Sequence, residues 1–143
     1  MRMDTLHIVM RKLEEYLNNE PVLQRRNAHI KSTIKDGKDL VELDIQGTDA
    51  GTFTIQVKGK KFLVRTGAAT VPLLTWSVPL ALFKDVLLGK VKILYTMLDP
   101  SCTLTFDSPN FTHWNGITAL AVILMAQEMV KKNPELKQMV ATI

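Results

Sequence analysis

The sequence predicts an α+β fold, in which consecutive strands are preceded and followed by helices. Apolar residues recur at helical spacing over residues 6–17, but they alternate with polar residues over much of residues 39–78. Helical character returns in a long apolar segment, residues 114–130, after the last strand. Because the helices gather around a run of strands, the pattern indicates an α+β layer fold instead of a parallel α/β one.

Length, composition and charge describe one globular domain. The chain has 143 residues, of which 46% are hydrophobic and 22% charged, and a chain of this size buries a core without disulfides or metals. Its net charge is +4, and residues 1–38 carry eight Lys and Arg against five Asp and Glu. Such a modest excess does not single out nucleic acid, which we do not expect as a partner. Cys102 is the only cysteine and the N-terminal segment does not have the pattern of a secretion signal, so we expect a cytoplasmic protein.

Two helices are predicted before the first strand. The first is amphipathic and ends at Asn18-Asn19, and its buried stripe comprises Leu6, Val9, Met10, Leu13 and Leu17. The second begins behind Asn19 as its cap, has Pro21 in its first turn and ends at Asp36-Gly37. Its buried stripe comprises Leu23, Ile30 and Ile34.

Period-two alternation predicts five strands. They cover residues 39–46, 52–57, 62–66, 74–78 and 102–107. In the first strand, Val41, Leu43 and Ile45 point to one side and acidic or amide residues to the other. A hairpin turn at residues 58–60 joins the second strand to the third.

Helices are also predicted between the last two strands and after the fifth. Pro79 opens one helix, which ends at Gly89. A further short helix covers residues 90–98, and its inward residues are Val91, Leu94, Met97 and Leu98. The long final helix ends or is interrupted at Asn133-Pro134, and we expect a frayed tail after it.

The final helix is apolar on nearly every side. One face carries Ile117, Leu120, Ala121 and Leu124, and much of the other carries Ala119, Val122, Ile123 and Ala126. A single sheet cannot cover both faces, so a second layer, a ligand or a partner must cover the rest. The segment is too short to span a bilayer, which needs about 20 apolar residues.

The sequence offers little support for catalysis, a metal or a cofactor, and we expect none of the three. His7, His29 and His113 are widely separated and belong to no metal-binding motif. Cys102 is eleven residues from His113, which is a weak signal for a nucleophile and its base. Motifs of serine hydrolases, phosphate loops and dinucleotide sites are absent from the sequence.

A basic cluster surrounds the predicted hairpin turn. It comprises Lys58, Lys60, Lys61 and Arg65. Two interpretations remain open: a solvated turn, or a clamp for an anionic head group at the mouth of a cavity.

Several individually weak motifs follow one another within residues 39–132: Gly51 to Gly59 with its alternating apolar residues, a strand to Gly67, Thr75-Trp76-Ser77, and a helix ending at Leu87 to Lys90. In this order they resemble the sterol carrier protein type two family of lipid-binding domains. The chain departs from the family at three places. The family commonly has Trp at the position of Phe53, Asp near Pro72-Leu73, and Gly-Lys near Asp99-Pro100-Ser101.

The resemblance implies a five-stranded, mainly antiparallel sheet with helices on one face and an apolar tunnel between the two layers. Residues 19–133 would form this domain, with residues 1–18 as a helical extension and residues 134–143 as a tail. We expect the tunnel to be lined by Trp76, Phe83, Leu87, Leu94, Leu98, Phe106, Ile117, Leu120, Ile123 and Leu124. Lys60 and Lys61 are candidates for contact with the head group.

The leading hypothesis is a non-enzymatic carrier, monomeric or homodimeric, for a fatty acid, acyl-CoA, sterol or isoprenoid-type lipid, with transient contact to membrane surfaces. The alternative is a dimerisation or interaction module that acts beside a separate enzyme. An enzyme is the third hypothesis, and thioesterase activity with Cys102 or Asp107 would be its natural form.

Overall fold

A computed structural model describes residues 2–19, 21, 24–25, 39–47, 51–58, 61–70, 72–106 and 113–143. Side chains in the first and last of these ranges are described from residues 5 and 120 onward. The second predicted helix, over residues 21–34, lies largely outside the described residues.

The described elements follow the predicted order. They are α1 (Arg2–Asn19), β1 (Asp39–Gln46), β2 (Thr52–Lys58), β3 (Lys61–Thr66), β4 (Leu74–Pro79), α2 (Leu80–Leu87), a 3-10 helix (Ile93–Met97), β5 (Thr103–Phe106), α3 (His113–Lys132) and α4 (Pro134–Thr142). The predicted α+β class is therefore confirmed. α2 begins behind Pro79, which presets the backbone, and its end is followed by Gly89 at a φ of 76°.

The five strands form one sheet in the order β3-β2-β1-β4-β5. Three neighbouring pairs are antiparallel, and β1 with β4 is parallel, which confirms the mainly antiparallel sheet. The parallel pair follows from the connection between β3 and β4, because that segment must cross two strands before the chain can rejoin the sheet.

One face of the sheet carries most of the core. Leu43 lies directly opposite Phe53 on one side and Trp76 on the other, and all three side chains are buried. Since residues opposite each other share a face, the register places the apolar residues of β1, β2 and β4 together beneath the helices. α1, α2 and α3 all contact strands of the sheet.

A strap, residues 67–70, crosses the opposite face. The Thr54 hydroxyl donates to the Gly67 carbonyl at 2.7 Å, and the amide of Ala69 donates to Glu42 Oε1 at 2.8 Å. Burial raises the pKa of the Glu42 carboxyl, the Ala69 amide opposes this effect, and the nearby Asp44 carboxylate adds to it. The strap thus depends on acidic side chains that point away from the core.

The outer edge of β3 is closed by side chains of α1. Asn18 Nδ2 donates to the Phe62 carbonyl at 2.9 Å, and the Phe62 amide donates to Asn18 Oδ1 at 2.9 Å. The Val64 amide donates to Glu14 Oε2 at 2.8 Å. Because unpaired backbone groups at a sheet edge attract other strands, these contacts protect the edge from pairing with another chain.

The prediction for residues 90–98 is wrong in its periodicity. Only residues 93–97 of this segment form a helix, which is a 3-10 helix with Ile93 and Thr96 buried. Leu94, Met97 and Leu98 are exposed, whereas Val91 packs against the core as predicted. A 3-10 helix has three residues per turn, so positions 93 and 96 share the inner side. The α-helical spacing assumed from the sequence instead placed Leu94, Met97 and Leu98 on the buried side.

The prediction of a frayed C-terminal tail is also wrong. Asn133 caps α4, since its side chain accepts from the Leu136 amide at 3.1 Å, and Pro134 occupies the first turn. Leu136, Val140 and Ile143 are buried in the same core as the stripe of α1. Both ends of the chain therefore contribute to the core, and domain boundaries at residues 18 and 133 stay predictions.

Candidate functional site

A small buried cavity lies between the sheet and the helices. Its volume is about 20 Å³, and it is lined by thirteen residues, all of them apolar and buried: Val9, Met10, Leu13, Val41, Leu43, Ile55, Trp76, Phe83, Leu87, Val122, Ile123, Ala126 and Met129. This space holds about one water-sized group, and an all-apolar lining offers water no hydrogen bond. The cavity is the candidate site for an apolar ligand.

The lining comes from two layers of structure. Strands β1, β2 and β4 supply Val41, Leu43, Ile55 and Trp76 through the period-two alternation of the sheet. The opposite wall comes from the buried stripe of α1, the inner side of α2, and one face of α3. Because each element contributes residues at its own period, the cavity exists only when all of them are packed together.

Trp76 is the largest lining residue and is anchored at its polar end. Its ring is tilted by 56° against Phe83, with the centroids 5.8 Å apart. The indole Nε1 donates to Thr96 Oγ1 at 3.1 Å, and that hydroxyl donates to the Ile93 carbonyl at 2.6 Å. The buried polar atoms are thus paired, so the tryptophan adds apolar area to the cavity at no cost in unsatisfied hydrogen bonds.

The structure brings four of the predicted tunnel residues together. Trp76, Phe83, Leu87 and Ile123 all line the cavity. Phe106 and Leu120 are half-buried against the core but do not line the cavity. The side chain of Ile117 lies outside those that are described.

Three predicted tunnel residues are instead at the surface. Leu94 is 55% exposed and Leu98 is 80% exposed, because the 3-10 helix turns both of them outward. Leu124 is 51% exposed and lines a surface groove with Gln127, Glu128 and Lys131. These three polar residues lie three, four and seven positions after Leu124, so they share its helix face. Their spacing in the sequence already indicated that Leu124 is exposed.

The predicted tunnel lining included none of the three residues that α1 contributes to the cavity. Val9, Met10 and Leu13 were recognised as a buried stripe, but the helix was treated as an addition to the lipid-binding domain. Met129 was also missed, although it lies within the long apolar segment, residues 114–130. These residues belong to no ligand-binding sequence motif. Only the amphipathic spacing of their helices indicated that they are buried.

The described members of the basic cluster, Lys58, Lys61 and Arg65, do not line the cavity. Lys61 is exposed and lines a cleft with Glu14, Glu15 and Asn18. Arg65 is held on the strap, where its Nη2 donates to the Ala68 carbonyl at 3.1 Å. Lys60 lies outside the described residues.

The described lining of the cavity contains no nucleophilic or titratable side chain. Burial raises the pKa of the Cys102 thiol, which disfavours the thiolate, and Cys102 does not line the cavity. Asp107 lies outside the described residues. Across the part of the chain that is described, His, Cys, Asp and Glu form no group of three that could hold a metal ion. No helix within the same ranges is long and apolar enough to cross a membrane.

This arrangement, a five-stranded sheet covered on one face by helices, recurs in solved structures. The sterol carrier protein domain 2 of Helicoverpa armigera matches with a TM-score of 0.61 and 12% identity, over 87% of this chain and 89% of that one. Sterol Carrier Protein 2 from Yarrowia lipolytica, in its apo form, matches with a TM-score of 0.57 and 13% identity, over 84% and 90%. The ubiquinone synthesis protein UbiJ-SCP2 matches with a TM-score of 0.55 and 11% identity, over 83% and 88%.

These likenesses establish the sterol carrier protein fold, and they confirm at the level of fold the resemblance seen in the sequence. No family model and no curated protein matches the sequence. At such low identity the shared property is the architecture, and the ligand must be argued from the residues of this chain.

Proposed function

We propose that the protein is a non-enzymatic lipid carrier that holds the apolar chain of one lipid between its sheet and its helices. The observation that carries this proposal is the buried cavity, whose thirteen lining residues are all apolar. Buried apolar cavities stay dry and accept apolar ligands. The cavity also lies between the two layers of a fold shared with sterol carrier proteins.

Lipid binding requires the cavity to widen. A volume of about 20 Å³ cannot hold an acyl chain, so the helices and the sheet must separate or the lining must rearrange. Met10 on α1 and Met129 on α3 are the flexible lining residues, because an unbranched thioether chain adopts many shapes. We infer that these side chains move first and that α3 follows.

The gain from burial leaves a margin that can be used to open the cavity. Burying a chain of about sixteen methylenes releases roughly 13 kcal/mol at ~0.8 kcal/mol each. Micromolar affinity needs about 8 kcal/mol. The remaining ~5 kcal/mol is available for separating the layers and for ordering the ligand.

The ligand classes that fit are lipids with a long apolar part: fatty acids, acyl-CoAs, sterols and isoprenoid-type lipids. Since no lining residue is charged, the polar group of the ligand must remain outside the cavity. Lys60 and Lys61 remain our candidates for contact with that group. For Lys61 the carboxylates of Glu14 and Glu15 in the same cleft would compete with an anionic head group. We further propose a cytoplasmic location and a monomeric or homodimeric state.

The test is lipid extraction from freshly purified protein, followed by titration with a fluorescent fatty acid. Ala126→Leu adds three carbons beside a space for about one water-sized group, so it should overfill the cavity and weaken binding at least tenfold. Ala141→Leu is the matched control, since Ala141 is exposed on α4. Circular dichroism verifies that both variants fold. The proposal is wrong if fatty acids, acyl-CoAs, sterols and isoprenoids all fail to bind, or if both variants bind the fatty acid equally.

The second candidate function is an interaction module that acts beside a separate enzyme. One comparison favours it: the fold is shared with a protein named for ubiquinone synthesis. Light scattering combined with native mass spectrometry separates the two functions. A monomer that carries lipid supports the carrier, whereas a lipid-free dimer whose core does not open to lipid supports the interaction module.

A further inference from the structure

An exposed apolar surface lies on the turn between α2 and β5. We name it the apolar turn, and its four large side chains are each more than half exposed: Leu94 at 55%, Tyr95 at 57%, Met97 at 53% and Leu98 at 80%. In a 3-10 helix residues three apart are aligned, so Leu94 stands above Met97, and Tyr95 above Leu98. The four side chains therefore occupy the two outer columns of one short element.

Buried residues and hydrogen bonds fix the apolar turn to the core. Its inner column consists of Ile93 and Thr96, which are both buried. The Thr96 hydroxyl accepts from Trp76 Nε1 and donates to the Ile93 carbonyl. Further backbone bonds close the segment, from the Leu98 amide to the Tyr95 carbonyl at 3.0 Å and from the Cys102 amide to the Asp99 carbonyl at 3.0 Å. Packing and hydrogen bonds thus fix these apolar side chains outward.

Two lysines lie on the N-terminal side of the apolar turn. Residues 90–98 contain Lys90 and Lys92 and no acidic residue. Both lysines are exposed, and neither forms an ion pair with another described residue. The nearest following acid, Asp99, accepts hydrogen bonds from the amide and hydroxyl of Ser101, at 2.9 and 2.6 Å. These bonds lower the pKa of Asp99, so it remains a carboxylate, and residues 90–99 carry two positive charges and one negative charge.

We propose that residues 90–98 dock the protein on the surface of an anionic bilayer. The four apolar side chains enter the boundary between head groups and acyl chains, and Lys90 and Lys92 meet the lipid phosphates. Apolar residues beside lysines bind anionic lipid surfaces through buried area and charge together, and tyrosine is favoured at head-group depth. A protein partner fits less well, because lysine is depleted from protein interfaces. The inference goes beyond the carrier function, since docking requires no lipid in the cavity.

The experiment is co-sedimentation of the full chain with vesicles. Vesicles of phosphatidylcholine and phosphatidylglycerol in equal parts are compared with vesicles of phosphatidylcholine alone. The double variant Met97→Ser/Leu98→Ser should lose at least tenfold in affinity for the mixed vesicles, as expected from removing about one buried side chain. Lys90→Gln/Lys92→Gln should lose about fivefold per lysine at low salt, and much less at high salt. Leu124→Ser is the control, because Leu124 is about as exposed as Met97 but lies on α3.

Three results would overturn the proposal. The first is no binding of the native chain to mixed vesicles at low salt. The second is unchanged binding of the Met97→Ser/Leu98→Ser variant, or an equal loss in Leu124→Ser. The third is a dimer in light scattering that Met97→Ser/Leu98→Ser dissociates, which would assign the surface to a second copy. Binding to vesicles without uptake of their lipid would support the docking surface and contradict only the carrier function.

Discussion

Trp76 Nε1 donates to Thr96 Oγ1 across 3.1 Å, and this bond joins the wall of the cavity to the apolar turn. Both residues are completely buried, so neither polar atom has access to bulk water. The same tryptophan lines the cavity and fixes the element that we propose to dock on membranes. If the cavity opened and Trp76 moved, the apolar turn would therefore move with it.

Replacing Thr96 should test the strength of this link. Thr96→Val keeps the shape of the side chain but leaves the Trp76 N–H unpaired, which should lower the free energy of unfolding by about 1–3 kcal/mol. Urea titration measures the loss. Thr105→Val is the control, because Thr105 is exposed on β5 and should change stability little. Equal stability of the two variants would mean that the bond contributes nothing net.

The two leucines Leu43 and Leu124 should respond differently to truncation. Leu43→Ala removes a buried side chain and should cost about 2–5 kcal/mol of unfolding free energy. Leu124→Ala affects an exposed side chain and should cost only about 0.5 kcal/mol, with the affinity for a fluorescent fatty acid unchanged. A large loss of affinity in folded Leu124→Ala would show that the ligand binds on the outer face of α3.

The contribution of Glu42 to the free energy of unfolding should decrease as the pH rises. Its pKa is raised mainly by burial, so the folded state binds the proton more tightly than the unfolded state does. The contribution is fully present below the ordinary glutamate pKa of about 4.3, and it is lost as the pH rises through the raised pKa of the folded state.

Glu42→Gln should remove that dependence while still accepting from the Ala69 amide. Urea titrations at a series of pH values measure it, and Glu15→Gln on the exposed side of α1 is the control. If Glu42→Gln follows the same pH profile as the native chain, the carboxyl is solvated and the strap does not perturb it.

The Cys102 thiol should react slowly in the folded protein. Burial raises its pKa, and little thiolate is available to attack a disulfide reagent near neutral pH. The measurement is the rate of labelling with an aromatic disulfide before and after unfolding in urea. Cys102→Ala/Ser101→Cys moves the thiol to the exposed neighbouring position and should react much faster. Equally fast labelling of native Cys102 would contradict its burial.

Asn18 should protect the protein from self-association. Asn18→Leu removes both hydrogen bonds to the backbone of Phe62 and should destabilise the fold by about 1–3 kcal/mol. It also leaves the edge of β3 open to another chain, so concentration-dependent association should appear in light scattering. Asn19→Leu, at the exposed next position, should remain monodisperse to the same extent as the native chain.

The sequence alone determined the elements whose signal is local. Alternation along β1, β2 and β4 located the strands, because a half-buried sheet requires a period of two whatever packs on it. Pro79 and Gly89 marked the limits of α2 for the same reason, since their backbone preferences act at their own positions. The order of these elements was enough to identify the sterol carrier protein fold.

Tertiary structure decided which faces of the helices are buried. α3 is apolar on most sides, so apolar spacing alone did not choose between Ile123, which lines the cavity, and Leu124, which is exposed on the face that carries polar residues one and two turns later. That choice depends on rotation about the helix axis, which is set by contacts with other elements. One such contact is the bond from Gln127 Nε2 to the Val86 carbonyl at 2.7 Å.

The same reason applies to the two segments that were predicted wrongly. Residues 93–97 form a 3-10 helix in which Thr96 is hydrogen-bonded to the distant Trp76. The residues after Asn133 form α4, whose Leu136 and Val140 are buried against the core. Neither partner is visible in the local sequence. Local periodicity therefore determined the elements, whereas burial of α3, the apolar turn and α4 was decided by residues far away in the chain.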